Sequence, residues 1–124
     1  MGAPANFFET KRKAHDLRTV ALTTATGAIT YTARMGGTAD NFTHDRVIRV
    51  TTTTTFSMTI TVPDGTYYGQ KLLVIFEVEA SNETVNVTTT TGDNATQMTA
   101  AGGYSELQWQ GSTLGWVELS NEAT

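Results

Sequence analysis

Apolar and polar residues alternate most regularly in the middle of the chain. In "FSMTITV" (56–62), apolar residues occupy every second position and Ser or Thr lies between them, which predicts a strand with one buried and one solvated face. "RVIRVT" (46–51) alternates in the same way, with Ile48 and Val50 on one face. The sequence Pro-Asp-Gly (63–65) ends the 56–62 strand, because Pro cannot donate a ladder hydrogen bond and Gly accepts positive φ.

The segment "QKLLVIFEVEA" (70–80) is apolar on both faces at its start. Leu73 and Ile75 lie on one face, and that face continues into Glu77 and Glu79. The opposite face carries Leu72, Val74, Phe76 and Val78. A strand of this kind is typical of the centre of a sheet, covered on both sides at its start and solvated at its end.

The last hairpin contains both tryptophans of the chain. In "YSELQWQ" (104–110), Leu107 and Trp109 alternate with polar residues, which predicts that Trp109 lies in the core. Two alternatives stay open for Trp116, core residue or subunit contact, because Val117 and Leu119 place apolar side chains on the opposite face of its strand. We therefore expect Trp116 and Leu119 at a subunit interface if another chain covers that strand.

These patterns together predict an all-β domain. "RTVALTT" and "AITYTA" flank a predicted hairpin turn at 26–27, and short strands recur at intervals of about 8–12 residues, as in sandwiches and barrels. We expect an antiparallel β-sandwich, jelly-roll-like or a small barrel, of about eight strands over residues 19–124. Residues 1–18 are predicted to form an N-terminal extended arm. The threonine runs 51–55 and 88–91 are interpreted as strand ends or loops, or as a weak internal duplication.

Composition and charge narrow the function classes. Threonine is the most common residue, and it suits strands with a solvated face. The chain has no cysteine, which excludes disulfides and thiolate-ligated zinc. Residues 1–18 hold four basic and two acidic side chains, whereas the rest of the chain holds four basic and ten acidic ones. An acidic body with a basic end is a poor general nucleic-acid binder, and it suits docking of that end on a partner.

No targeting or membrane segment is predicted. The N-terminal stretch lacks the apolar region of a secretory signal peptide. The longest apolar run, "LLVIF" (72–76), is of strand length and far short of the ~20 residues that a membrane-spanning helix needs. We therefore expect no membrane partner.

No catalytic or metal-binding constellation is evident. His15 and His44 lack the spacing of a zinc helix, and His44-Asp45 lacks a serine nucleophile on a strand-turn-helix elbow. Glu77 and Glu79 share a strand face about 7 Å apart, a spacing that could suit a glycosidase pair, but a solvated strand end explains them as well. No loop has the acidic spacing of an EF-hand. We expect no enzymatic activity, no cofactor and no metal.

The order of these elements resembles a known family. "DRVIRVTTTTTFSMTITVPDG" (45–65), "YYGQKLLVIFEVEASNETVNVTTTTGD" (67–93) and "YSELQWQGSTLGWVELSN" (104–121) follow one another as in a small β-domain of tailed-phage virion proteins: capsid decoration (cement) proteins, head fibres and tail-fibre tips. The resemblance covers roughly residues 40–121. It implies a homotrimeric β-sandwich without enzymatic activity.

Within that family, a short basic arm without a long shaft resembles a head decoration protein. This implies a virion location on the outer surface of the capsid head, with the major capsid protein as partner and a stabilised shell as the result. The arm residues expected to bind the capsid are Phe7, Phe8, Lys11, Arg12, Lys13 and Arg18, because aromatic anchors and arginine are common hot-spot residues.

The alternative function is a tail-fibre or head-fibre module that binds a receptor or glycan. Exposed aromatic side chains stack on sugars. The residues available for such a surface are Tyr67, Tyr68, Tyr104 and Trp116.

Overall fold

The computed structural model describes residues 17–36, 43–93 and 97–123. Within them lie nine strands and one helical turn. The strands are β1 (Leu17–Thr23), β2 (Thr30–Thr32), β3 (His44–Thr51), β4 (Met58–Val62), β5 (Lys71–Val78), β6 (Val85–Thr89), β7 (Gln97–Met98), β8 (Tyr104–Trp109) and β9 (Trp116–Glu122), and the helical turn α1 spans Gly111–Leu114.

The strands form two sheets that pack face to face. Sheet A has the order β1-β3-β5-β8-β9, and sheet B has the order β2-β4-β6-β7. The predicted β-sandwich is therefore confirmed, and β5 is the central strand of sheet A as its two apolar faces indicate. The sandwich does not close into a barrel.

The strand directions differ from the antiparallel expectation. β1 pairs with β3, β3 with β5, β2 with β4 and β4 with β6, all in parallel. Only the pairs β5/β8, β8/β9 and β6/β7 are antiparallel among the described strands. The first six strands alternate between sheet A and sheet B. The chain therefore enters a given sheet from the same end each time, and its successive strands in that sheet are parallel. The predicted hairpin around Gly27 is thus a turn between sheets, closed by the bridge Ala25–Ala28.

This alternation divides the first six strands into three repeating units, each with one strand in sheet A and the next in sheet B. We call these units rungs: β1 with β2, β3 with β4, and β5 with β6. Thr23 pairs with Thr51 and Thr51 pairs with Val78, which are 28 and 27 residues apart, and the other residues of β3 pair with residues of β5 that lie 26 positions later. Thr30, Thr59 and Asn86 are equivalent in the same sense on sheet B. The rungs are stacked copies of one backbone path.

The threonines at the turns bind neighbouring rungs together. The backbone N–H of Thr53 donates to the Thr24 hydroxyl at 2.7 Å, and the Thr53 hydroxyl donates to the Thr24 carbonyl at 2.8 Å. The run 51–55 begins at the end of β3 and forms the turn that leads towards β4, whereas Thr88 and Thr89 belong to β6. The two runs are strand ends and turns as expected, but they occupy different places in a rung and are no duplication of each other.

A buried carboxylate holds the turn after β3. Thr55 has φ of 73°, a left-handed conformation that costs an L-residue roughly 1–2 kcal/mol. Its N–H donates to Glu83 at 3.1 Å, and the N–H of Ser81 and the hydroxyl of Thr52 donate to the same carboxylate. Burial by itself raises the pKa of Glu83, but these donors lower it overall.

The core lies between the two sheets. Trp109 and Trp116 face each other across β8 and β9 with ring centroids 5.5 Å apart in an edge-to-face arrangement, a geometry that aromatic pairs favour. The Trp116 indole N–H donates to the Pro63 carbonyl at 2.7 Å. The fully buried apolar side chains around them are Ile48, Val50, Ile60, Val62, Leu72, Val74, Phe76, Val85, Met98 and Leu107.

Candidate functional site

The predicted arm residues are divided between two parts of the chain. Phe7, Phe8, Lys11, Arg12 and Lys13 lie outside the described residues. Arg18, which was grouped with them, is the second residue of β1. Leu17 and Arg18 therefore belong to the sheet, although both lie inside the range expected for the arm.

Arg18 belongs to a polar cluster that joins the first three strands. Its guanidinium Nε donates to the Asp45 carboxylate at 2.5 Å, and Nη2 donates to the Tyr31 hydroxyl at 2.9 Å. Asp45, whose side chain is fully buried, also accepts from the Tyr31 hydroxyl at 2.6 Å and from the Arg34 backbone N–H at 2.9 Å. One carboxylate thus ties β1, β2 and β3 together.

The ionisation behaviour of this cluster follows from the hydrogen bonds to Asp45 and from the burial of Tyr31. The hydrogen bond to Asp45 raises the pKa of Arg18, which keeps the guanidinium charged. Burial raises the pKa of Tyr31, and its hydrogen bond to Asp45 raises the pKa further. The cluster holds a neutral phenol and a cation around one carboxylate, an arrangement suited to structural support.

His44 and Glu77, which the sequence offered as candidates for catalysis, also make contacts within the fold. His44 is 1% exposed, and its Nε2 lies 3.1 Å from the Tyr67 hydroxyl. Glu77 pairs with the Arg49 guanidinium on the surface of sheet A, and this hydrogen bond lowers the pKa of Glu77. A lowered pKa favours the carboxylate form, which is opposite to the shift that a general acid in glycoside hydrolysis needs.

The four aromatic residues considered for glycan stacking lie in different surroundings. Tyr68 is 73% exposed and lies beside Gly111. Tyr67 packs against His44 with ring centroids 5.5 Å apart, and Tyr104 lies on the outer face of sheet A. Trp116 is completely buried. Of the two alternatives for this residue, the structure therefore has the core position, and no surface of its side chain is left for a subunit contact. Leu119 is 46% exposed.

An apolar area that sequence reasoning did not single out as a site lies on the outer face of sheet A. Val47, Leu73 and Ile75 point away from the core, because their neighbours Ile48, Leu72 and Val74 are completely buried. Tyr104 pairs with Ile75 across β5 and β8. We call Val47, Leu73, Ile75 and Tyr104 the outer apolar patch.

The outer apolar patch has a shallow groove. Leu73, Ile75, Tyr104, Gly102 and Glu106 line a volume of about 340 Å³. The sequence carried one signal for it: the second apolar face of β5, which indicates a strand covered on both sides. Within the described residues the inner face is covered by sheet B, whereas the side chains of Leu73 and Ile75 remain half-buried.

Two further properties concern ligands and membranes. Among the described residues, no three His, Asp or Glu side chains form a group that could hold a metal ion. None of the helices in the described part of the chain has the length and hydropathy to cross a membrane.

The structure therefore offers one candidate surface, the outer apolar patch on sheet A, and the sequence adds the basic residues that precede β1, which lie outside the described residues. No protein-family model matches the sequence, and no curated protein matches it either.

Proposed function

We propose that the protein is a non-enzymatic structural protein of a virion, a capsid decoration protein that binds the outer surface of the capsid head through its N-terminal segment and stabilises the shell. The proposal rests on one observation: a run of basic residues precedes an edge strand that is firmly held in a domain with an excess of acidic side chains. Residues 11–13 are three consecutive cations, whereas residues 17–36, 43–93 and 97–123 hold five basic and nine acidic side chains.

The strand that follows these cations is well anchored. β1 is an edge strand of sheet A and pairs with β3 from Leu17 to Thr23. Arg18 adds a hydrogen-bonded ion pair to the buried carboxylate of Asp45. A partner that holds residues 1–16 is thereby connected directly to the core of the sandwich.

The mechanism combines docking and linkage. Phe7 and Phe8 supply apolar anchors, and Lys11, Arg12 and Lys13 meet acidic groups of the major capsid protein. Several arms in one homo-oligomer raise the affinity by avidity, and the resemblance implies a homotrimer. Because the protein binds the assembled shell and not its separate subunits, binding stabilises the shell.

The first test is removal of residues 1–16. Capsids prepared without this protein are mixed with the wild type or the truncated chain, and binding is measured by co-sedimentation. We expect the truncation to weaken binding by about 100-fold or more, since it removes every expected capsid-binding residue except Arg18. The truncation stops at residue 16 because removal of Arg18 would leave Asp45 buried without its cation. Unchanged capsid affinity of the truncated chain contradicts the proposal.

A pair of charge reversals separates arm contacts from general electrostatics. Arg12→Glu is compared with Arg34→Glu, because Arg34 has an exposed side chain on the described domain. We expect roughly tenfold weaker capsid binding for Arg12→Glu and no change for Arg34→Glu. Equal losses for both variants mean that net charge, and not the arm, determines binding.

The alternative, a glycan-binding tip of a fibre, depends on Tyr68 as the most exposed aromatic among the described residues. Saturable binding of the wild type to a glycan array, lost in Tyr68→Ala, would favour that function over capsid decoration.

A further inference from the structure

The outer surface of β5 carries a charge pattern that complements itself. Lys71, Leu73, Ile75 and Glu77 follow one another on this face, because the alternating residues Leu72, Val74 and Phe76 are completely buried in the core. A cation thus lies at one end of the face, a carboxylate at the other, and two branched apolar side chains lie between them. When a second copy of this strand lies antiparallel to the first, the basic end of one strand faces the acidic end of the other, and the apolar residues face each other.

We infer that the outer apolar patch is the contact surface for a second copy of this chain, related by a two-fold axis that crosses β5 between Leu73 and Ile75. In such an arrangement the two β5 strands lie antiparallel across the interface. Leu73 of each copy then faces Ile75 of the other, and Lys71 of each copy faces Glu77 of the other. A contact of this kind is self-complementary, as two-fold interfaces must be.

The neighbouring strands extend the apolar centre and supply a polar rim. Val47 lies beside Leu73 on β3, and Tyr104 lies beside Ile75 on β8. Two charged residues flank these apolar ones: Arg49, which is paired with Glu77, lies beside Ile75 on β3, and Glu106 lies beside Leu73 on β8. Apolar and aromatic residues at the centre with charges at the edge are the usual anatomy of a protein interface.

The size of the face limits the expected affinity. Five strands about 4.8 Å apart and about seven residues long give a face of roughly 24 Å by 23 Å, or roughly 550 Å². A standard interface buries about 800 Å² on each partner, and weaker specific ones bury less than about 600 Å². We therefore expect a dimer that dissociates in the micromolar range and not a permanent one.

This inference goes beyond the proposed function: it replaces the homotrimer that the resemblance implies with a two-fold pair, which would present two arms to the capsid instead of three. The mass of the purified protein is measured without capsids. A monomeric mass would contradict the dimer and would not bear on capsid binding through the arm. Full capsid binding by the truncated chain would contradict the arm proposal and would not bear on the dimer.

The experiment is sedimentation equilibrium of the full chain from about 1 to about 100 µM, the range in which a micromolar dimer forms. The wild type is expected to reach the mass of two 13.4-kDa chains. Ile75→Glu is expected to raise the dissociation constant by about 30-fold or more, a factor typical of a central hot-spot residue. Thr61→Lys, on the exposed outer face of sheet B, is the matched control and should leave the dimer unchanged.

A second variant tests the register of the contact and covers the case in which Ile75→Glu does not fold. Lys71→Glu places like charges opposite each other in the two-fold arrangement, so we expect weaker dimerisation at low salt and a smaller loss at high salt. Near-ultraviolet circular dichroism of Trp109 and Trp116 verifies the fold of each variant. A wild-type mass of one chain at the highest concentration, a mass of three chains, or dimers unaffected by either substitution would overturn the inference.

Discussion

Replacement of Arg18 by methionine tests whether this residue serves the fold. Methionine keeps the length of the apolar stem and removes the guanidinium. The buried Asp45 carboxylate then loses its cation and one of its three donors, while the Tyr31 hydroxyl and the Arg34 N–H remain. The truncation used to test capsid binding avoids this residue for the same reason.

The magnitude follows from the environment of the two partners. A hydrogen bond to a charged group contributes about 1.5–3 kcal/mol, and loss of one partner of a buried pair costs about 3–5 kcal/mol. The Arg18 side chain is 35% exposed, so solvent screens part of the attraction and we expect a loss of roughly 2 kcal/mol. In a domain of this size that loss lowers Tm by about 8 °C.

Urea unfolding followed by tryptophan fluorescence measures the loss directly. Arg49→Met is the matched control, because the Arg49–Glu77 pair is exposed on both sides and its removal should leave the unfolding midpoint unchanged. The double variant Arg18→Met/Asp45→Asn should lose less stability than the sum of the single variants, since a neutral amide is less costly to bury than an unpaired carboxylate. Equal midpoints for wild type and Arg18→Met, or strict additivity in the double variant, would refute the reasoning.

Three further predictions concern the turns and the phenol. Thr55→Gly should stabilise the domain by about 0.5–1 kcal/mol, because glycine removes the strain of positive φ, whereas Thr54→Gly should not raise the urea midpoint. Gly65→Ala should destabilise it by about 1–3 kcal/mol, because its Cβ would lie 2.3 Å from Cγ of Trp109; an unchanged Tm would contradict this packing. The folded pKa of Tyr31 is raised above its ordinary value, so its contribution to stability is present below pH 10 and lost as pH rises through the folded pKa. Unfolding free energies from pH 8 to 11 should therefore fall more steeply for wild type than for Tyr31→Phe.

The sequence predicted the faces of the strands better than their partners. Alternation in 58–62 and 104–110 correctly indicated which side chains enter the core, Trp109 among them, whereas Phe56 lies before β4 and is only half-buried. The same alternation carries no information on the direction of the neighbouring strand, because side chains point to alternate faces in parallel and antiparallel pairs alike. The short turn at 26–27 therefore suggested a hairpin, although β1 and β2 belong to different sheets.

The candidate sites were predictable to different extents. The three adjacent cations at 11–13 are visible in the sequence itself. The role of Arg18 was not visible, since its partner Asp45 lies 27 positions away and only the parallel pairing of β1 with β3 brings the two together. The outer apolar patch needed the strand order as well, because Val47 and Tyr104 flank Leu73 and Ile75 only when β3 and β8 lie on either side of β5.

The stacked rungs also limit how such a domain can change in length during evolution. Equivalent positions recur after 26 to 28 residues on sheet A, so insertion of one complete rung adds a strand to each sheet and keeps every side chain on its face. An insertion of a single residue within a strand reverses the faces of all residues between it and the next turn. Homologous domains should therefore differ by whole rungs or by changes confined to the turns, and seldom by lengths in between.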